Sequence, residues 1–366
     1  MACLEPRFIY QRKRYSKIPA TKEQRKSERK FINPYVEGKE LEYYWNLQEY
    51  LKENDPNFEL IQVPCGKCDG CNISRMKDWA IRCLAESTLY EENYFLTLTY
   101  NDYNLRFNSE ITSPDTGCTY CDDGSWGATL VKADLVKFNK DLRRYFEYHY
   151  EHTGIRFYNC GEYGGQNGRP HYHGIYFNLP IPATELIPYK LTTEGMLYKC
   201  PMIEKIWGKG FITVAEVTIN SCCYVAGYVM KKMRNDWGKE YYYQSGVIPE
   251  FNNMSRVPGI GKAYYDSHKE EIYSTDELII NGNKYGRPKP PRYFDKLYDI
   301  DYPTEMALIK EQRQKCADEA KYLEASKSTI SAAERNKLKA SELDNKTRIL
   351  KRRANIENDN RKCKLV

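Results

Sequence analysis

The 366-residue sequence contains no apolar run approaching the roughly 18 residues that a membrane-spanning helix needs, which excludes an integral helical membrane protein. Apolar residues make up 41% and mean hydropathy is −0.75, so the chain is polar but still long enough to bury a sizeable core. The opening MACLEPRFIYQRKRYSK lacks an apolar stretch and a small-residue cleavage site. No secretory signal is read there, and the expectation is a protein of the cytoplasm. Internal repeats are lacking, and no strong charge of one sign dominates: 56 basic against 50 acidic residues leave +6. Histidine is scarce, at five residues, whereas cysteine is not, at thirteen. An odd number of cysteines without an export signal reads as reduced thiols or metal ligands rather than as a disulfide framework.

The small basic excess becomes local near the start, where Arg7, Arg12, Lys13, Arg14, Lys17, Lys22, Arg25, Lys26, Arg29 and Lys30 face few acids. This fits a polyanion partner, and equally a solvated arm. Residues 1–60 are therefore expected to be a basic arm followed by a weak helix. From there the pattern becomes regular. Residues 72–90 and 132–150 have helical spacing, with Leu135, Phe138, Leu142, Tyr145 and Phe146 on one face of the second. Residues 94–100, 155–163, 171–179 and 210–217 read as strands, the middle two joined by a Gly-rich hairpin, and 220–233 as another helix. Residues 104–127 read as a loop. The order implies an α+β domain over 61–300, an antiparallel sheet flanked by helices. After Pro303 the strand signals stop; 301–366 is charged, with Ile309, Cys316, Leu323 and Ile330 at heptad spacing, and reads as a peripheral, mostly helical or partly disordered tail.

Two constellations carry chemistry. His171 and His173 lie two apart in a strand, so both imidazoles leave the same face and can meet on one ion. A His-X-His alone is commonly incidental, but the neighbouring strand offers Glu162, which completes a two-His, one-acid set with open positions. Glu162 also reads as an exposed loop acid. Mixed nitrogen and oxygen ligands suit Mg²⁺ or Mn²⁺ acting on phosphate, and zinc by ligand type as well. The second constellation is the helix NSCCYVAGYVMKKM. Tyr224 and Tyr228 share a face about 40° apart, Lys231 and Lys232 flank them, and Cys222, Val225, Val229 and Met233 lie on another stripe. Such a helix is ordinarily just a packed one. Gly227, which costs about 1 kcal/mol relative to Ala inside a helix, implies a close approach by another backbone or by substrate. A phenol, with a pKa of about 10, is a poor nucleophile until a metal polarises the phosphodiester and a lysine flanks it.

Cys65, Cys68 and Cys71 form C-x2-C-x2-C, with Cys83 beyond. Arg75 stands where an iron–sulfur run needs its next cysteine, which disfavours a cluster. Four thiolates for a structural Zn²⁺ could come from Cys65, Cys68, Cys71 and Cys83, or from Cys65 and Cys68 with Cys118 and Cys121. The same thiols also read as small buried residues.

Taken in order, FLTLTY (95–100), RPHYHGIYF (169–177) and YVAGYVMKK (224–232) resemble the three motifs of the HUH rolling-circle replication initiators. The double tyrosine resembles the gene A class of small single-stranded DNA phages. With PCGKCDGC (64–71), Trp79, Arg82, PGIG (258–261) and PRYFDK (291–296), the chain is most similar to the replication initiation proteins of gokushoviruses, in the Microviridae. The resemblance covers about 61–300.

It implies an HUH endonuclease domain with a ferredoxin/RRM-like palm and the histidine strand central. It further implies His171 and His173 as metal pair, Tyr224 and Tyr228 as nucleophiles, Lys231 or Lys232 on phosphate, and less firmly Glu162 as third ligand. The expected protein is a nickase and strand-transferase of the host bacterial cytoplasm. It acts on single-stranded or supercoiled viral origin DNA beside host helicase and polymerase. Arg169 is a candidate DNA contact, and tyrosines can stack on unpaired bases. Two rival readings remain: an HUH transposase or relaxase, and a non-catalytic, zinc-stabilised single-stranded DNA-binding protein.

Overall fold

The structure, a computed structural model, describes residues 3, 6–13, 21–107, 110–112, 119–121, 128–164, 168–231, 242, 247–280 and 287–326. The described residues fall into two compact units, one up to Ser74 and the other from Arg75 on.

The first unit contains β1 (Arg7–Arg12), α1 (Lys22–Ser27), β2 (Lys30–Ile32), α2 (Pro34–Glu37), α3 (Leu41–Asn54) and β3 (Phe58–Val63). β1 is the middle strand of an antiparallel sheet ordered β2-β1-β3. Phe8, Tyr44, Leu51 and Leu60 form its small core, with the Phe8 and Tyr44 rings stacked 4.8 Å apart. The expected arm is thus largely folded, and regular structure begins well before residue 61. The strand is hard to see in the sequence because only Phe8 of β1 is buried. Its charged residues alternate on a solvated face, and Arg12 is held by both Glu28 oxygens at 2.8 Å.

α4 (Asp69–Ser87) crosses the division. In the second unit β4 (Asn93–Tyr100) is followed by the short hairpin β5 (Glu110–Thr112) and β6 (Thr119–Cys121), within the stretch expected to be loop. Then come α5 (Lys132–Tyr150), β7 (Arg156–Tyr163), β8 (Pro170–Phe177), β9 (Ile187–Thr192), β10 (Gly195–Lys199), α6 (Pro201–Trp207), β11 (Gly210–Glu216) and α7 (Ile219–Lys231). β12 (Phe251–Met254), α8 (Lys262–Thr275), α9 (Arg292–Asp301) and α10 (Pro303–Ser326) complete it. Seven strands form one wholly antiparallel sheet, ordered β12-β7-β8-β4-β11-β10-β9, with the histidine strand β8 interior.

The two-residue strand period divides β8 between two cores. Tyr172 and Tyr176 face a core built with Leu135, Phe138, Leu142 and Phe146 of α5 and Ile203 and Trp207 of α6. Ile175 and Phe177 face the opposite core, with Ala80 and Cys83 of α4 and Cys222, Val225 and Ala226 of α7. Gly174 lies between the histidine and isoleucine of this strand because a Cβ there would stand 2.7 Å from the Tyr176 ring. A third core joins α4, α8, α9 and the start of α10 through Leu84, Tyr265, Tyr273, Phe294 and Met306. The expected peripheral tail therefore begins as a packed helix: Met306 is buried and Ile309 contacts the core, although Cys316 is exposed, so the heptad seam does not continue. Residues 327–366, including Ile330, lie outside the described residues.

Candidate metal and tyrosine site

Register brings the ligating residues together. β7 and β8 pair Glu162 opposite His171, while β4 and β8 pair Thr97 opposite His173. Because these residues share the α4/α7 side of the sheet, the sequence-distant carboxylate and hydroxyl reach the histidines without any loop. Glu162 is 3% exposed, not an exposed loop acid. Its Oε1 stands 2.7 Å from His171 Nε2 and 3.0 Å from His173 Nε2. One donor atom from each of the three lies within 4.8 Å of the others.

The far side of each imidazole is also engaged. His171 Nδ1 stands 3.0 Å from the Arg169 carbonyl oxygen, and His173 Nδ1 is 3.0 Å from Thr97 Oγ1. A carbonyl oxygen only accepts, so His171 carries its proton on Nδ1 and turns the Nε2 lone pair inward, the state a metal needs. Phe95 stacks on His173 with centroids 5.5 Å apart and further fixes its ring. Burial raises the Glu162 pKa, but hydrogen bonds from His171 and His173 and their charges outweigh it, holding the carboxyl far below the usual range. Two inward-facing imidazoles and a persistent carboxylate fit a divalent cation.

Tyr224 projects from α7 over this set. Its hydroxyl donates to the same Glu162 oxygen at 3.4 Å, and its ring meets His173 edge-on at 5.1 Å and Phe95 at 6.2 Å. It is 45% exposed. The helix can hold it there because Cys222, Val225 and Ala226 bury the adjoining stripe. Gly227 faces Met76 of α4: a Cβ would stand 3.4 Å from its sulfur, an ordinary contact. The close backbone approach expected at Gly227 is therefore not found. Tyr228 and Lys231 belong to the last turns of α7, but their side chains, and Lys232 entirely, lie outside the described residues.

Arg169 is engaged within the protein: Nη1 contacts Asp102 Oδ1 at 2.7 Å and Nη2 donates to the Tyr100 carbonyl at 2.6 Å. It thereby pins the start of β8, whose carbonyl orients His171. Sequence reasoning missed Thr97 and Phe95. Both lie within the FLTLTY strand, where strand alternation puts them on the histidine side. The thiols divide differently from either expected set. Cys65, Cys68 and Cys71 gather with Cys3, whereas Cys83 is fully buried in the core with Cys222 and Val225. Burial pushes the Cys83 thiol well above its ordinary value, so it is a core residue. Cys118 lies outside the described residues.

An interior His-X-His strand, a facing carboxylate and a helix-borne tyrosine agree with the HUH-type α+β class expected from the sequence. The family model for Replication-associated protein ORF2 matches residues 93–233, the span from β4 to just past α7. The chain is 32% identical over 324 residues to Replication-associated protein ORF2 of Spiroplasma virus 4, covering 87% of each chain. It is 31% identical over 272 residues to Replication-associated protein ORF4 of Chlamydia phage 1, covering 71% of this chain and 60% of that protein. With Replication-associated protein VP4 of Bdellovibrio phage phiMH2K the identity is 27% over 242 residues, covering 66% and 68%. No solved structure matches. The chain belongs to the phage replication-associated protein family, of the gokushovirus rolling-circle initiator type.

Proposed function

We propose that this protein starts rolling-circle replication by nicking single-stranded viral origin DNA with a tyrosine and later rejoining the strand. The observation that carries the reading is the meeting of Tyr224 Oη with Glu162 Oε1, the oxygen both histidines contact. His171, His173 and Glu162 hold the divalent ion. When bound, Mg²⁺ or Mn²⁺ there supplies Lewis-acid polarisation of the scissile phosphate.

Tyr224 Oη forms a bond to phosphorus as the bond to the 3′ oxygen breaks. The phenol proton passes to solvent and the departing oxygen takes one up. A 3′-hydroxyl and a 5′-phosphotyrosine result. Ester energy is retained, so a 3′-hydroxyl can reverse the step and reseal the strand without ATP. The free 3′-hydroxyl serves host polymerase as primer, behind a host helicase. Tyr228, one turn along α7, serves the regenerated origin after a round of synthesis, and Lys231 or Lys232 neutralises phosphate charge. The relatives' names favour replication over the transposase or relaxase reading.

The test is incubation with a single-stranded origin oligonucleotide and Mn²⁺, followed by denaturing electrophoresis. The wild type forms a covalent adduct; Tyr224→Phe with Tyr228→Phe abolishes it and leaves affinity nearly intact. Full cleavage by the double variant, or no adduct from the wild type, rejects the proposal, the second outcome in favour of a non-catalytic binder.

A further inference from the structure

We propose that Cys3, Cys65, Cys68 and Cys71 bind one structural zinc ion, with Cys3 as the fourth ligand that closes the first unit. The four sulfurs lie within 4.8 Å of one another. Cys3 Sγ is 3.7 Å from Cys68 Sγ, and Cys65 Sγ is 3.9 Å from Cys71 Sγ. A tetrahedron of thiolates at a zinc–sulfur distance of about 2.3 Å has edges of about 3.8 Å, so both separations suit one ion at the centre. They are far beyond the roughly 2.05 Å of a disulfide. An iron–sulfur cubane would hold its thiolates further apart, because each binds a different iron.

The surrounding backbone is built for the same purpose. The N–H groups of Lys67 and Cys68 donate to Cys65 Sγ at 3.4 and 3.3 Å, and the Cys65 N–H donates to Cys3 Sγ at 3.2 Å. Such bonds favour thiolate charge in a tight turn. Gly66, at φ +75°, supplies the left-handed residue the turn needs. Asn72 closes the loop, its N–H donating to the Cys68 carbonyl at 3.0 Å and its side chain to the Lys67 carbonyl at 3.1 Å. Cys71 lies in the first turn of α4, where the helix dipole favours an anion.

Antiparallel pairing of β1 with β3 puts Arg7 opposite Val63, and continuing that register carries the chain back beside Cys65. The pairing thus delivers a ligand 62 residues away in sequence. Four thiolates with no open position make a structural ion rather than a catalytic one. Its work is to fasten the end of β1 to the turn after β3, in a unit whose hydrophobic core has four buried residues.

The full chain, expressed with zinc and desalted, is expected to contain one zinc per protein, with X-ray absorption fine structure giving four sulfurs and no lighter ligand. Mass mapping after alkylation should find Cys3, Cys65, Cys68 and Cys71 protected until a chelator is added, while exposed Cys316 reacts at once. Cobalt-substituted Cys3→Ser should lose the tetrathiolate spectrum, and Cys83→Ala should keep it. Substoichiometric zinc, three sulfurs with a lighter atom, or Cys3 alkylated as fast as Cys316 would overturn the proposal. The wild-type measurements decide it even should a variant fail to fold.

Discussion

Thr97 is not among the expected metal ligands, yet it governs one of the two imidazoles. Its hydroxyl is paired with His173 Nδ1 at 3.0 Å, a contact that fixes the tautomer and ring of a metal ligand. Thr97→Val keeps the β-branched shape the strand prefers and removes only that partner. We expect Mn²⁺ affinity to fall about 10- to 100-fold by calorimetry, with the thermal transition little changed. Unchanged affinity would show that His173 needs no such orienter. Glu162 poses the converse case, since its anion persists through the bonds from His171 and His173 despite burial. Glu162→Gln keeps the shape but removes the charge, and should weaken Mn²⁺ binding more than Thr97→Val does; an equal or smaller effect contradicts the ligand assignment.

At the level of elements, α7 owes its position to one buried stripe, whereas α8, α9 and α10 are additionally tied by a charged clamp. Arg313 of α10 meets Asp276 at the end of α8 and Asp295 of α9, with Nη1 2.8 Å from Asp295 Oδ2 and Nε 2.9 Å from Asp276 Oδ2. Burial raises the Asp276 pKa, but the Arg313 and Lys289 hydrogen bonds more than offset this and hold the carboxyl below its ordinary value. A group with a lowered folded pKa stabilises the fold above its unfolded pKa, here about 3.9, and that contribution disappears as pH falls through the folded value. Arg313→Met is expected to cost about 1–2 kcal/mol at neutral pH, after allowance for the partial solvent access of the clamp. Chemical denaturation from neutral pH to below about pH 4 should show the difference from wild type shrinking in acid. A difference independent of pH would assign the effect to packing instead of charge.

Over the whole molecule, the legible parts are those where one face is buried. Strands β4, β7, β8 and β11 and helices α4, α5 and α7 carry strong period-two or helical patterns, and the His-X-His and double-tyrosine spacings are local. Other elements have no such contrast. β9 is mostly exposed on both faces, and β12 reads Phe-Asn-Asn-Met, so neither alternates. Cys3 has no sequence neighbour to suggest a ligand, and only strand pairing brings it to Cys65. Thr97 looks like an ordinary β-branched strand residue until its register with His173 is known. Charge acts at this scale too: origin oligonucleotide affinity should drop about 10-fold or more between about 50 and 200 mM salt if three or more phosphates are neutralised, and a flat response would contradict an electrostatic contribution.

The most direct test of the account is peptide mapping by mass spectrometry of the covalent DNA adduct formed by the full chain. The juxtaposition of Tyr224 with the His171, His173 and Glu162 cluster predicts a phosphodiester on Tyr224 after the first cleavage. Modification of Tyr228 alone, of a residue outside α7, or of none would contradict it.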